Sequence, residues 1–204
     1  FNPMPNPKLS NEYPGAFTSM GVTAENLAVK YSINRVSQEE FAIESQKRAS
    51  VSRDSGLFNN EIIPIKTKNG MIELDGCIRP KTDSGTLSKL NPAFDSKGTV
   101  TAGTSSPLTD GAAFVLICTE EFAKNNNLKP LARILSTAVS GCSPEIMGIG
   151  PVEATRKSLE RANISLEQIG IIELNEAFAA QSLAVITVSY THLTLPTTRG
   201  GEVA

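Results

Sequence analysis

From Thr23 onward, Ala24, Leu27, Ala28 and Tyr31 fall on one face at helical spacing, the pattern of a short amphipathic helix. Thr23 is a suitable N-cap, and Glu25 in the first turn suits the positive end of the helix dipole. A second helix is expected from about Gln38 to Arg53, stopped by Gly56. Ser37 and Glu40 have the spacing of a capping box, and Val36 and Phe41 that of a hydrophobic staple. The exposed positions of this helix would carry Glu39, Glu44, Lys47 and Arg48, with Glu44 and Arg48 in the favourable i,i+4 order. These charges read as a solvated face. The fifteen or so residues at the start of the chain are rich in Pro and Asn and read as loop.

Residues 61–66 favour a strand, Asn69-Gly70 is a two-residue hairpin signal, and residues 71–74 can return antiparallel. The chain is then irregular through Pro80, Gly85, Pro92 and Gly98, a connection of the long kind that is either functional or disordered. A cluster of small and polar residues at 101–111 leads into 112–118, a continuous apolar run typical of a strand buried on both faces. Residues 119–125 read as a short helix. A new unit starts near Pro130, with a strand at 131–139. Gly148-Ile149-Gly150-Pro151 then opens a helix with Pro151 at its first position and Val152, Thr155, Leu159 and Ala162 on its buried face. Residues 169–174 form a second apolar strand, and Asn175-Glu176-Ala177-Phe178 leads into a helix from about Ala179. Strand, helix, strand, helix in this order implies a parallel α/β layer.

Composition changes this picture little: 204 residues, 40% hydrophobic and 20% charged, exclude collagen, coiled coil and wholesale disorder. Length allows one or two domains. Nineteen basic and 21 acidic residues give a net charge of -2, so nothing calls for a nucleic-acid or anionic-membrane partner, and any anion must be met locally. No apolar run reaches the roughly 18–20 residues of a membrane span. Cys77, Cys118 and Cys142 lack metal-ligand spacing and are odd in number, which argues against zinc or a disulfide framework and for a reducing compartment. A lone histidine, His192, argues against metal or triad chemistry built inside this chain. The first residue is Phe1 and no signal-peptide pattern follows, so the chain is expected to begin in mid-protein.

Two features carry candidate chemistry. Asn175 sits at the carboxyl end of an expected parallel strand, where α/β folds place ligands. Its amide could orient a water or donate to an oxyanion, or simply cap the next helix. The stretch 103–106 could cradle a ligand by close backbone approach or be a plain turn.

Five blocks together resemble the thiolase family in order and spacing, over nearly all of residues 16–186. They are Ser19-Met20-Gly21-Val22-Thr23-Ala24-Glu25-Asn26, Leu90-Asn91-Pro92-Ala93-Phe94, Gly98-Thr99-Val100-Thr101-Ala102-Gly103-Thr104-Ser105-Ser106, Met147-Gly148-Ile149-Gly150-Pro151 and Asn175-Glu176-Ala177-Phe178-Ala179-Ala180-Gln181. The branch they most resemble is the 3-ketoacyl-CoA thiolase, or acetyl-CoA acyltransferase, of fatty-acid β-oxidation. The resemblance implies a two-half α/β thiolase-like fold with a loop domain inserted in the first half. Residues 1–106 would belong to the loop domain of the N-terminal half, 107–128 would be that half's final strand and helix, and 129–186 would start the C-terminal half.

The implied reaction is covalent acyl transfer: a cysteine attacks the 3-keto carbon, acetyl-CoA leaves, and CoA takes the acyl group. By the resemblance, the nucleophilic Cys, the His that activates it and the second, proton-exchanging Cys all lie outside this chain. Residues 1–204 alone are therefore expected to be inactive. Cys77, Cys118 and Cys142 do not match the family's cysteine contexts and read as small hydrophobes. Asn175 matches the residue holding the water of the oxyanion hole, and Phe178 one that shapes the acyl pocket. For CoA, Ser106 matches a serine near the pantetheine arm, Phe94 and Leu108 apolar contacts to it, Met20 a pocket residue, and Arg79 a basic residue near the nucleotide end. Arg79 also suits phosphate as a forked donor, its alternative being a structural ion pair.

Two positions depart from the common pattern: Ser19 stands where many members have His, and Thr104 where many have Asn. The alternatives left open are an acetoacetyl-CoA-forming biosynthetic thiolase and a non-catalytic, thiolase-like lipid-carrier or binding protein. No permanently bound cofactor or metal is implied; CoA and acyl-CoA enter as substrates. The family implies a homo-oligomer, dimer or tetramer, or membership of a fatty-acid oxidation complex. It also implies a cytoplasmic location in a bacterium and a mitochondrial or peroxisomal one in a eukaryote. After Ile186 the family pattern stops. Residues 187–204 look like a translated sequencing adapter and are expected to be a non-native tail.

Overall fold

Asn6 opens a helix where loop is expected: its side-chain oxygen accepts the Lys8 and Leu9 amides at 3.0 and 3.3 Å, and Pro7 follows it. This helix, α1, spans Pro7–Glu12, and a 3-10 turn occupies Pro14–Phe17. The computed structural model describes residues 5–189. His192 and residues 190–204 of the adapter-like tail lie outside the described residues, as do residues 1–4.

Helix α2, Met20–Lys30, starts earlier than expected. Ser19 stands at its N-cap, and Thr23 lies inside, donating from its hydroxyl to the Met20 carbonyl at 2.7 Å. Helix α3, Arg35–Asp54, is capped by Asn34, whose side chain accepts the Ser37 amide at 2.9 Å. Asn34 supplies the cap acceptor three residues before Ser37, so the expected Ser37–Glu40 box does not form and Val36 is exposed rather than stapled. Glu39, expected on the solvated face, is buried and accepts from Arg35 Nε at 2.7 Å. The Glu44–Arg48 pair forms as expected, at 2.6 Å. Strands β1, Ile65–Thr67, and β2, Gly70–Ile72, make the expected hairpin. Thr67 pairs with Gly70, so the turn residues are Lys68 and Asn69, and Gly70 takes φ +119° at the first paired position.

The remaining helices are α4, Ser84–Leu87; α5, Glu120–Asn125; α6, Gly150–Ala162; and α7, Ala179–Ser189. Pro151 occupies the second, not the first, position of α6, and Thr155 is exposed instead of buried. α7 runs through Thr187, Val188 and Ser189. Among the described residues no helix is long and apolar enough to cross a membrane.

The core is where α2 meets α7 and the turn Pro144–Ile149. Leu27, Ala28, Val100, Ala180 and Ala184 are its buried members. Gly148 lets the turn approach closely, since a Cβ there would lie 2.6 Å from the Gln181 side chain and 2.8 Å from that of Leu27. Glu25 of α2 is buried against the 98–100 segment, where its carboxylate accepts the Thr99 and Val100 amides, each at 2.9 Å. A buried carboxylate persists only when its lone pairs are used in this way. Glu25→Leu would leave both amides without an acceptor. The expected loss is about 2–4 kcal/mol of unfolding free energy, read as a lower urea midpoint at unchanged slope.

The three apolar runs expected as buried strands are not strands. Residues 112–118, 131–139 and 169–174 carry no ladder, and β1–β2 is the only sheet among the described residues. Phe114, Leu131 and Ile171 are 92, 100 and 75% exposed. Cys118, expected at the end of a buried strand, is exposed and free. A strand buried on both faces needs hydrogen-bonding neighbours on each side and layers above and below, and the described residues supply neither. The 131–140 segment lies along α6 through side chains: Ser136 Oγ donates to the Ser158 carbonyl at 2.7 Å, and Ser140 Oγ to that of Gly150 at 2.9 Å.

Candidate functional site

A cleft of ≈ 960 Å³ opens between α3, the 75–82 segment, the C-terminal end of α4 with Leu90 beyond it, and the 102–107 segment, and Asn175 and Glu176 also line it. Arg35, itself outside the lining, braces the wall made by Leu87 and Leu90. Its Nη2 donates to the carbonyls of Leu87, the last residue of α4, and of Leu90 beyond it, at 2.9 and 2.7 Å, and so ties the turn after α4 to α3. At the other end of α4, Asp83 accepts the Thr86 amide at 2.7 Å. This bond, with help from the Thr86 hydroxyl, holds the Asp83 carboxyl below the usual carboxylate range.

The opposite wall follows from Gly103 and Thr104. A Cβ at Gly103 would stand 2.4 Å from Leu87 Cδ2 and 2.7 Å from Leu90 Cδ1, so glycine lets the 3-10 turn Ala102–Thr104 press onto this wall without displacing either leucine. Thr104, the family-variant position, is buried, and its hydroxyl accepts the Thr101 amide at 3.0 Å in a reciprocal capping box. The stretch 103–106 is thus a turn that also lines the cleft. Beyond it, Ser105 bridges antiparallel to Phe178, and the Ser106 amide donates to the Ala177 carbonyl at 2.9 Å. These contacts bring the Asn175–Phe178 block to the cleft edge.

Of the expected site residues, Arg79, Ser106 and Asn175 line the cleft together. The Asn175 side chain makes no hydrogen bond to another described residue and does not cap α7, which begins four residues later. Arg79 forms no ion pair among the described residues; its Nη1 donates to the Cys77 carbonyl at 3.0 Å. Phe94 and Phe178 meet edge to face, 5.7 Å apart at 83°, behind the Ser105 bridge. Met20 is exposed beside Gly21, whose missing Cβ leaves room for the Phe94 ring. Leu108 is fully exposed and does not line the cleft. Residues 107–119 carry no helix or strand and are exposed throughout.

Sequence reasoning gave no role to Ser45, Gln46 or Glu176 and read Cys77 as a small hydrophobe, yet all four line the cleft. A signal was present: Phe41, Ala42, Ser45 and Ala49 share one face of α3 at helical spacing. Among the described residues no cluster of side chains could hold a metal ion.

The profile of the thiolase N-terminal domain matches residues 9–121, and that of the thiolase C-terminal domain residues 128–204. The chain belongs to the thiolase family. Among curated thiolase relatives, the 3-ketoacyl-CoA thiolase of Marinobacter nauticus is 49% identical over 187 residues, 89% of this chain and 48% of the relative. The human mitochondrial 3-ketoacyl-CoA thiolase is 45% identical over 189 residues, 91% of this chain and 48% of the relative. A crystal structure of the human mitochondrial enzyme in complex with CoA superposes with a TM-score of 0.80 at 47% identity, covering 83% of this chain and 43% of that one. The Bacillus anthracis acetyl-CoA acetyltransferase also reaches 0.80, at 44% identity, over 83% of this chain and 44% of that one. This chain thus has a partial thiolase fold and spans just under half the length of the thiolases it matches.

Proposed function

We propose that the protein carrying this chain cleaves a 3-ketoacyl-CoA with CoA, giving acetyl-CoA and a shortened acyl-CoA. A cysteine thiolate attacks the keto carbon, the C–C bond breaks, and the enolate of acetyl-CoA leaves and is protonated. The CoA thiol then attacks the acyl-enzyme thioester, which releases the shortened acyl-CoA and regenerates the cysteine. The observation that supports this reading is the meeting of Arg79, Ser106 and Asn175, from three distant parts of the chain, in one cleft. Asn175, with its amide uncommitted, serves the oxyanion; Ser106 lies along the pantetheine arm; Arg79 meets the nucleotide phosphates. Phe178 and Phe94 back the acyl and pantetheine side, with Met20 at its border, and Leu108 joins the apolar contacts in the complete protein.

In this reading residues 1–106 belong to the loop domain, 107–128 close the N-terminal half, and 129–186 open the C-terminal half. Thiolysis of 3-ketoacyl-CoA by the complete protein is the direct test, and absence of CoA-dependent cleavage defeats the proposal. Arg79→Ala in that protein is expected to raise the Kd for CoA about tenfold, the lower end for a charge-assisted bond at an exposed position. Isothermal titration with CoA, and with CoA lacking its 3′-phosphate, reads this out. Similarity to an acetyl-CoA acetyltransferase of Rhizobium meliloti, 48% identical over 170 residues, favours a second reading, the condensation of two acetyl-CoA. Relative kcat/KM for long 3-ketoacyl-CoA and for acetoacetyl-CoA separates the two.

A further inference from the structure

We infer that two neighbouring side chains of α3, Ser45 and Gln46, are positioning residues that fix the two ends of the cleft relative to one another. The inference rests on the roles proposed above for Asn175 and Arg79. Ser45 Oγ donates to Glu176 Oε2, on the residue directly after Asn175. Gln46 Oε1 accepts the backbone amide of Arg79 at 2.7 Å. These contacts cross 131 and 33 positions of sequence, respectively. Adjacent residues of one 20-residue helix thus hold the two segments that carry the oxyanion donor and the phosphate-binding arginine.

The chemistry of each contact suits its place. Glu176 lines a cleft meant for a polyanion, and a free carboxylate there would repel the phosphates of CoA and compete for Arg79. The Ser45 hydroxyl leaves that charge in place but fixes where the carboxylate points, and so anchors the residue next to Asn175. At the other end Arg79 has no ion pair among the described residues to orient it. Its backbone is held by Gln46 and its Nη1 by the Cys77 carbonyl at 3.0 Å, which leaves the other guanidinium N–H groups for a ligand. α3 itself packs against α7 and the Ala102–Thr104 turn, so the helix that measures the cleft is seated on both of its neighbours.

The two tethers predict opposite kinetic signatures in the complete enzyme. Ser45→Ala is expected to lower kcat about tenfold while the KM for CoA stays within about twofold, because a small displacement of a transition-state donor is felt in the chemical step. Gln46→Ala is expected to raise the KM for CoA about fivefold with kcat nearly unchanged, since it loosens a group that binds ground and transition states alike. Ser45→Thr, which keeps the hydroxyl, restores kcat to within about threefold, whereas Gln46→Met, which keeps the length of the side chain without its acceptor oxygen, leaves the KM as high as Gln46→Ala does; where the Ser45→Ala variant does not fold, Ser45→Cys carries the same comparison. A common loss in kcat and KM for both variants overturns the proposal. A flat response in an enzyme that Asn175→Ala and Arg79→Ala do impair overturns the tethers alone. A flat response to all four removes the tethers together with the assignment beneath them.

Discussion

Asn175→Ala in the complete enzyme is expected to lower kcat by about 10²–10³-fold, equivalent to roughly 2.7–4 kcal/mol of barrier, with little change in the KM for CoA. The expectation follows from where charge develops. When the C–C bond of the 3-ketoacyl-CoA breaks, the enolate oxygen of the departing acetyl-CoA takes on negative charge that the bound substrate lacks. A water held there by Asn175, donating to that oxygen, acts on the transition state and not on binding. The Asn175 amide is suited to this because it lines the cleft and is not spent on another described residue. The antiparallel bridge from Ser105 to Phe178 and the Ser106 amide bond to Ala177 set the position of its segment. Asn175→Asp should lose at least as much, since it puts a negative charge beside the water that has to donate to the developing oxyanion. Steady-state rates at varied CoA and 3-ketoacyl-CoA decide the matter; a raised KM at intact kcat would remove Asn175 from the oxyanion role and leave it a binding residue.

Elements that rest on local chemistry were readable from the sequence, and those that rest on distant partners were not. The Glu44–Arg48 pair, the hairpin around Asn69 and Gly70, and the short helix behind Thr119 each depend on groups within seven residues of one another. Cap positions slipped where two candidates competed: Asn34 and Ser19 took the places expected of Ser37 and Thr23, because the better-placed acceptor or extended residue came first. The apolar runs at 112–118, 131–139 and 169–174 show the limit of pattern reading. Unbroken apolar sequence states that a segment is built to be covered, and says nothing of whether its neighbours belong to the same stretch of chain. Here they do not lie among the described residues, and the segments stay extended and exposed. The site divides along the same line. Resemblance placed Arg79, Ser106 and Asn175 on the list, yet only the fold shows that α3 joins them, since nothing at Ser45 or Gln46 marks them locally as more than polar positions on a helix.

The isolated 204-residue chain is expected to show no thiolytic turnover, a loss greater than any single substitution. Covalent acyl transfer needs a thiolate at neutral pH, and a free cysteine reaches that state through an adjacent base or positive site. Cys77 is the cysteine that lines the cleft, half-buried and free. Histidine is absent from residues 5–189, because the chain's single histidine is His192. The exposed apolar runs add a second obstacle. Phe114, Val115, Leu116 and Ile117 present neighbouring side chains to solvent, and surfaces of this kind self-associate, so the chain should sediment as concentration-dependent oligomers. Rates with 3-ketoacyl-CoA and CoA, set beside those of the complete protein at equal molarity, provide the check. Turnover by residues 1–204 that vanishes in Cys77→Ser would identify Cys77 as the nucleophile and overturn the assignment of the acyl-enzyme to a cysteine elsewhere in the protein.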